Sequence, residues 1–158
     1  ICYTQDKGKQ VYNAKSILRF QSKQASHLDV LNHVDFSLVE GNGHSIITSA
    51  YCMNAYRGIK SSLPAMAAAF FILEAFDKLV FENQPDEHLW EFLQKWLGRF
   101  NTTSSQDVKI KNSRQLTKLI VDCREELLEV LGYDRRTLIE EIANSRFKSL
   151  QFARKVIK

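Results

Sequence analysis

The sequence is poor in cysteine and contains no long apolar run. Its three cysteines, Cys2, Cys52 and Cys123, include no C-x-x-C pair, which argues against a zinc site and against a disulfide scaffold. This usage favours a reducing cytoplasm. The longest apolar run, at 65–73, ends at Glu74 and is far shorter than the roughly 18 residues that a membrane span needs. We therefore expect a chain that does not enter a membrane.

Residues arranged for catalysis or cofactor binding are also missing. The four histidines, His27, His33, His44 and His88, have no ligand spacing, and no Ser, Cys or carboxylate pair stands in a nucleophilic or acid/base arrangement. The KGK stretch at 7–9 lacks the glycine spacing of a phosphate-binding loop. We therefore predict no enzymatic activity, no metal and no cofactor.

The apolar content, at 44%, is enough to bury a core as one domain or as two small ones. The character of the chain changes near residue 60. Before that point, β-branched and aromatic residues separated by Gly, Asn and Asp predict strands at 1–4, 10–14, 34–39 and 45–53. The last two strands should form a hairpin, because Asn42-Gly43 supplies the positive φ angles that a tight turn needs.

Residues 61–158 predict a helical domain. Ser62 and Pro64 suit the start of a helix that runs to about Phe81. This helix is apolar nearly all round, so we expect it at the centre of the domain, with Phe70 and Phe76 buried.

Further helices are predicted by apolar spacing and by capping residues. A second helix follows Asp86 and turns Trp96 inward, whereas Trp90 stays unassigned. The polar segment 101–112 predicts a loop, and a third helix spans 113–131 and stops at Gly132. Two shorter helices should follow, capped by Asp134 and Ser145.

Basic residues are concentrated in the first part of the chain. Residues 1–60 contain seven Lys or Arg against four acids, whereas 61–158 contain fifteen against fourteen. No acid lies between Asp6 and Asp29, so this interval is a candidate phosphate-facing surface. The alternative is an ordinary solvated basic edge. The candidate DNA-binding residues are Lys7, Lys9, Lys15, Arg19 and Lys23.

Segments at 14–50, 56–79 and 84–93, with ELLEVLGYD and FKSLQF near the end, follow one another in an order and spacing that resemble the RecO family of bacterial recombination mediators. The run at 14–50, AKSILRFQSKQASHLDVLNHVDFSLVEGNGHSIITSA, is similar to a family segment in which Ala-Lys-Gly, a basic loop, a Phe-Ser-Leu-Val strand and a Gly-x-Gly turn follow one another. At 56–79 the family pattern Glu-x-x-Asp-Lys-Leu matches Glu74, Asp77, Lys78 and Leu79. The segments QPDEHLWEFL, ELLEVLGYD and FKSLQF also resemble the family.

The resemblance implies an α+β fold, in which residues 1–60 form a small OB-type β-barrel packed on an all-α domain of residues 61–158. The barrel should be incomplete at its N-terminus, because the family's first strand has no match here and the chain begins with Ile1. Ser16 and Leu18 depart from the family's glycine and basic residue, which weakens the implied DNA surface there. Tyr3 and Tyr12 could stack on bases or belong to the core.

The family likeness also implies function and partners. A RecO-like chain would bind single- and double-stranded DNA, anneal complementary strands, contact the acidic tail of single-strand binding protein, and work with RecR to load RecA. We expect it in the bacterial cytoplasm, associated with the nucleoid. Basic and apolar side chains near the end are candidates for the tail-binding site, although core on one side and solvated charge on the other is the commoner role for any one such residue: Arg146, Phe147, Leu150, Arg154 and Lys155.

Two other functions remain open from the sequence. One is an RNA-binding OB module, because nothing in the residues separates ribose from deoxyribose. The other is a helical adaptor without DNA binding, in which the sheet is a brace and the basic last helix docks on an acidic partner or a membrane.

Overall fold

The computed structural model describes residues 1–15, 17, 22, 24–41, 43–105, 113–132 and 148–149, with the backbone alone at 104–105 and 113–117. The fold is α+β. Within the described residues, four strands in two antiparallel pairs precede four helices. The chain divides into two compact units: Ile1–Tyr56 with Glu82–Pro85, and Arg57–Phe81 with Asp86–Lys158.

The first pair of strands is short and is held by a segment from later in the chain. Strand β1 (Cys2–Thr4) is antiparallel to β2 (Gly8–Gln10). Lys9 in β2 forms a parallel bridge with Glu82, and its carbonyl accepts a hydrogen bond from the Asn83 N–H at 3.1 Å. Gly8 has φ +67°, and a Cβ there would lie 2.1 Å from the Gln84 carbonyl oxygen. Only glycine fits this approach.

The second pair confirms the predicted hairpin. Strand β3 (His33–Val39) is antiparallel to β4 (Ile46–Asn54), with Phe36 opposite Ala50 and an irregularity between Ser37 and Leu38. Alternation of polar and apolar residues selects the two faces of this sheet. Gly43 has φ +99°, and Asn42 lies outside the described residues.

The strand predicted at 10–14 is wrong beyond Gln10. Asn13 makes only an isolated parallel bridge with Ile46, because the chain leaves β2 and crosses to β4 instead of continuing the first pair. The described residues do not form a closed barrel, so the OB-type barrel stays a prediction. Few side chains of the first unit are fully buried among the described residues, and Leu31 and Tyr56 are the buried apolar ones.

The second unit contains helices α1 (Arg57–Lys60), α2 (Leu63–Leu79), α3 (Glu87–Ser105) and α4 (Ser113–Leu131). The predictions for Ser62, Asp86 and Gly132 are confirmed, whereas the two helices predicted to be capped by Asp134 and Ser145 lie outside the described residues. Ser62 Oγ accepts from the Ala65 N–H, with Pro64 in the first turn of α2. Asp86 Oδ1 accepts from the His88 N–H at 2.8 Å, and Gly132 follows α4 with φ +69°. No helix among the described residues is long and apolar enough to cross a membrane.

Helix α3 is longer than the sequence predicts, because it continues to Ser105 through residues that were expected to form a loop from residue 101. Asn101 Oδ1 accepts from the Gly58 N–H at 2.8 Å, so it caps α1 from the side of α3. The hydroxyls of Thr102 and Thr103 donate to carbonyls one turn earlier, at 3.0 and 2.9 Å. These contacts satisfy the polar side chains within the helix.

Aromatic residues one turn apart on α3 fill the core of the second unit. Phe92, Trp96 and Phe100 are 2%, 1% and 1% exposed, and neighbouring rings lie 6.3 and 5.9 Å apart. The prediction for Trp96 is therefore confirmed. On α2, Phe76 is buried as predicted, but Phe70 is only half-buried. Apolar residues encircle α2, so their pattern could not select its inward side.

A carboxylate on α2 anchors the chain at 148–149. Glu74 accepts hydrogen bonds from the N–H groups of Lys148 and Ser149 at 2.8 Å and from the Ser149 hydroxyl at 2.6 Å. Lys78 lies 3.2 Å from the same carboxylate. Burial alone raises the pKa of Glu74, but the bonds from Ser149, Lys148 and Lys78 outweigh it and lower the pKa to about 2.

We predict that Glu74→Gln lowers the free energy of unfolding at pH 7, because the amide loses the charge that strengthens these hydrogen bonds. The expected loss is only about 1 to 2 kcal/mol, since water weakens the electrostatic part of the interaction. The folded pKa lies below the ordinary 4.5, so the carboxylate contributes fully above pH 4.5 and its contribution disappears as the pH falls towards 2. Urea unfolding across this range should show the wild-type advantage shrinking. Glu91→Gln, at an exposed residue, is the matched control. A Glu74→Gln deficit that stays constant down to pH 2 would contradict the assignment.

Candidate nucleic-acid interface

The structure describes three of the five predicted DNA-binding residues. Lys7 and Lys15 are exposed, and Lys9 is half-buried in β2. Arg19 and Lys23 lie outside the described residues. So do all five residues predicted to bind a partner: Arg146, Phe147, Leu150, Arg154 and Lys155. The hairpin of β1 and β2 brings Lys7 and Lys9 close together, and their role in binding stays a prediction.

Side-chain hydrogen bonds fix the turn that presents Lys7. Thr4 Oγ1 accepts from the Lys7 N–H at 3.2 Å and donates to the Gly8 carbonyl at 3.1 Å. Gln10 Nε2 donates to the Lys7 carbonyl at 2.6 Å and to Asn83 Oδ1 at 3.1 Å. The backbone of Lys7 is therefore held on both sides, while its ammonium group extends from an exposed residue.

The outer edge of β4, defined as the edge away from β3, is hydrogen-bonded to Asn13, Gln24 and His27. The Asn13 N–H donates to the Ser45 carbonyl at 2.9 Å, and its carbonyl accepts from the Ile47 N–H at 2.8 Å. Farther along, Gln24 Nε2 donates to the Thr48 carbonyl, and the Cys52 N–H donates to His27 Nδ1 at 3.1 Å.

These contacts anchor both ends of the basic segment at one edge. Residues 14–23, which connect Asn13 to Gln24, contain Lys15, Arg19 and Lys23 and no acid. The two residues on either side of this segment, Asn13 and Gln24, are hydrogen-bonded to β4. This arrangement supports the candidate surface that the charge pattern predicts.

The inner face of the β3–β4 hairpin packs against other residues of the first unit and offers little to a ligand. The Tyr12 ring meets the Phe36 ring edge-on, with centroids 5.4 Å apart. Burial raises the pKa of Tyr12, with a smaller effect of Cys2, and burial raises the pKa of the Cys2 thiol. Both groups stay protonated at neutral pH. Among the described residues no group of His, Cys, Asp and Glu could hold a metal ion.

The outer face of the hairpin is exposed and includes a ring that sequence reasoning missed. Tyr51 is 66% exposed and Met53 is 61% exposed. Tyr51 stacks on His27, with centroids 6.0 Å apart and planes at 25°, and it lies opposite Asp35 in the register. The sequence alternation places Tyr51 on the opposite face of the strand from Ala50 and Cys52, but it does not show which of the two faces is open.

The second unit has a groove of about 500 Å³ between α3 and α4, lined by His88, Glu91 and Glu129 among others. Lys95 and Glu126 also line it and form an ion pair at 2.6 Å. The carboxylates make this groove unfavourable for phosphate. The groove therefore does not compete with the first unit as a DNA surface.

Comparison with known proteins gives relatives for part of the chain. This chain is 32% identical over 96 residues to proteins named DNA repair protein RecO from Streptococcus pyogenes serotype M49 (strain NZ131), serotype M3 (strain MGAS315) and serotype M1. The match covers 60% of this chain and 38% of each relative. No protein-family model matches, and no solved structure matches.

We predict that replacing Lys7 and Lys15 together with Ala weakens binding to single-stranded DNA. If both contact phosphate, the slope of log affinity against log salt should fall in magnitude by about 1.4, at roughly 0.7 per contact. The measurement is a fluorescence titration at several salt concentrations. The matched control is Lys118→Ala with Lys148→Ala, since both are exposed in the second unit. Equal slope changes in the two variants would mean that net charge, and not the first unit, governs binding.

Proposed function

We propose that this chain is a RecO-like DNA repair and recombination mediator, which binds DNA and anneals complementary strands without catalytic chemistry. The observation that carries the proposal is the 32% identity over 96 residues to proteins named DNA repair protein RecO. The chain spans 38% of the length of those relatives, so their whole activity is extended to it only as part of this proposal.

The DNA step is explained by the charges of the first unit. Lys7, Lys9 and Lys15 lie on the first unit, and cations that replace counterions along phosphates bind any sequence. We propose that the two hairpins are parts of an OB-type barrel. The bridge between Asn13 and Ile46 supports this, since it connects the chain that leaves the first pair of strands to the second pair.

Mediation requires partners as well as DNA. We propose that the chain contacts the acidic C-terminal tail of single-strand binding protein, works with RecR and acts indirectly on RecA. The proposed tail site is Arg146, Phe147, Leu150, Arg154 and Lys155, where cations and apolar groups would meet a tail that is acidic and ends in an apolar residue. The anchoring of Lys148 and Ser149 on Glu74 supports a role for this part of the chain at the surface of the helical unit. The proposed location is the bacterial cytoplasm, at the nucleoid.

We predict that the full-length protein anneals complementary strands coated with single-strand binding protein, and that removing the acidic tail of the coating protein abolishes this. Annealing of bare DNA should survive, because a basic surface brings two phosphate backbones together by neutralisation alone. The measurement is a fluorescence annealing assay on bare, coated and tail-less coated strands.

Equal annealing with and without the tail would reject tail docking and leave a generic basic nucleic-acid binder. Binding of structured RNA in preference to DNA would favour an RNA-binding module. Absence of DNA binding by the full-length protein at low salt would reject the proposal and favour a helical adaptor.

A further inference from the structure

The exposed ring of Tyr51 is held in position although it covers no core. It lies in the middle of β4 and is 66% exposed. One side stacks on His27, whose ring is itself fixed by the hydrogen bond from the Cys52 N–H at 3.1 Å. Met53, the next residue on the same face of β4, is 61% exposed. A large aromatic residue with a supported ring and an open surface is suited to stacking.

Charge is distributed unevenly across this face. On the β3 side, Asp35 lies directly opposite Tyr51 and is exposed, as is Glu40 just beyond the end of the strand. On the β4 side, the outer edge is bonded to Asn13 and Gln24, and the ten residues between them contain three cations and no acid. A polyanion lying on this face would be repelled along β3 and attracted along the outer edge of β4.

The Tyr51 ring lies near Gln24, the residue that follows the basic segment in sequence. Gln24 bonds to Thr48, three residues before Tyr51 on the same strand, which is roughly 10 Å at the usual strand rise. A ligand with planar rings on one side and anionic groups on the other therefore meets both features at once. Single-stranded nucleic acid has this arrangement, and proteins bind it by combining aromatic stacking with a positive path for the backbone.

We propose that the Tyr51 ring, backed by His27 and flanked by Met53, stacks on a base of single-stranded DNA whose phosphates follow the outer edge of β4. This inference rests on the proposed function for the choice of DNA. It goes further by naming the stacking residue and the side of the hairpin on which the backbone passes. Stacking is tolerant of sequence, because every base has a π face.

The test compares a short single-stranded oligonucleotide with an abasic strand of the same length and charge. Tyr51→Ala should weaken binding of the base-bearing strand by about 5- to 100-fold and leave binding of the abasic strand unchanged. Tyr51→Phe keeps the ring and should stay within about twofold of wild type. Val39→Ala is the matched control, because Val39 is an exposed apolar residue of β3, 55% exposed.

The outcomes separate this inference from the function on which it rests. If the wild type binds DNA but Tyr51→Ala does not weaken binding, the stacking site is overturned while DNA binding stands. The same holds if Tyr51→Ala weakens binding of the base-bearing and abasic strands equally. A loss for Tyr51→Phe as large as for Tyr51→Ala also overturns it, since the hydroxyl and not the ring would then matter. No binding of either strand by the wild type at low salt overturns both proposals. Tighter binding of RNA with the same Tyr51 dependence overturns the choice of DNA.

Discussion

The hydrogen bonds along the outer edge of β4 are the constraint on which the first unit depends. A two-stranded hairpin is marginal alone in water, and few side chains of this unit are fully buried among the described residues. Asn13, Gln24 and His27 supply partners to backbone groups of β4 and its entry. They protect an edge that would otherwise pair with other chains, and they hold Asn13 and Gln24, which flank the basic segment in sequence, on the strand that presents Tyr51.

The second unit obtains its stability differently. Phe92, Trp96 and Phe100 form a continuous aromatic series along α3, and the Arg99 guanidinium lies 4.9 Å from the Trp96 ring centroid. Burial of large rings and cation–π contacts stabilises helices without needing a ligand. Glu74 adds an anchor for the chain at 148–149. Stability and the proposed DNA contacts thus belong to separate sets of residues.

Much of this fold could be predicted from local patterns. Alternation over β3 and β4 gave the hairpin, and Ser62, Asp86 and Gly132 marked helix ends, because each effect acts within a few residues. The errors arose where distant contacts decide. Asn101 lies within α3, and its side chain caps α1, which is distant in sequence. The predicted strand at 10–14 fails because Asn13 pairs with Ile46 instead.

The candidate site was predictable only in its charge. Lys7 and Lys15 followed from an acid-free interval, which needs no knowledge of the fold. Tyr51 was missed because an alternating strand has two faces, and only the packing of Tyr12 on Phe36 identifies which face is covered. The open face, with Tyr51 on it, is therefore a property of tertiary structure.

The central claim is that DNA lies on the first unit, along β4. Photo-crosslinking of a single strand that contains a photoreactive base, followed by tryptic mapping, tests it most directly. Residues 24–57 form a single tryptic peptide, since no Lys or Arg lies between Lys23 and Arg57, and it includes both His27 and Tyr51. We predict that this peptide is the main crosslinked product. Crosslinks confined to peptides of the helical unit, from α2 to α4, would contradict the account.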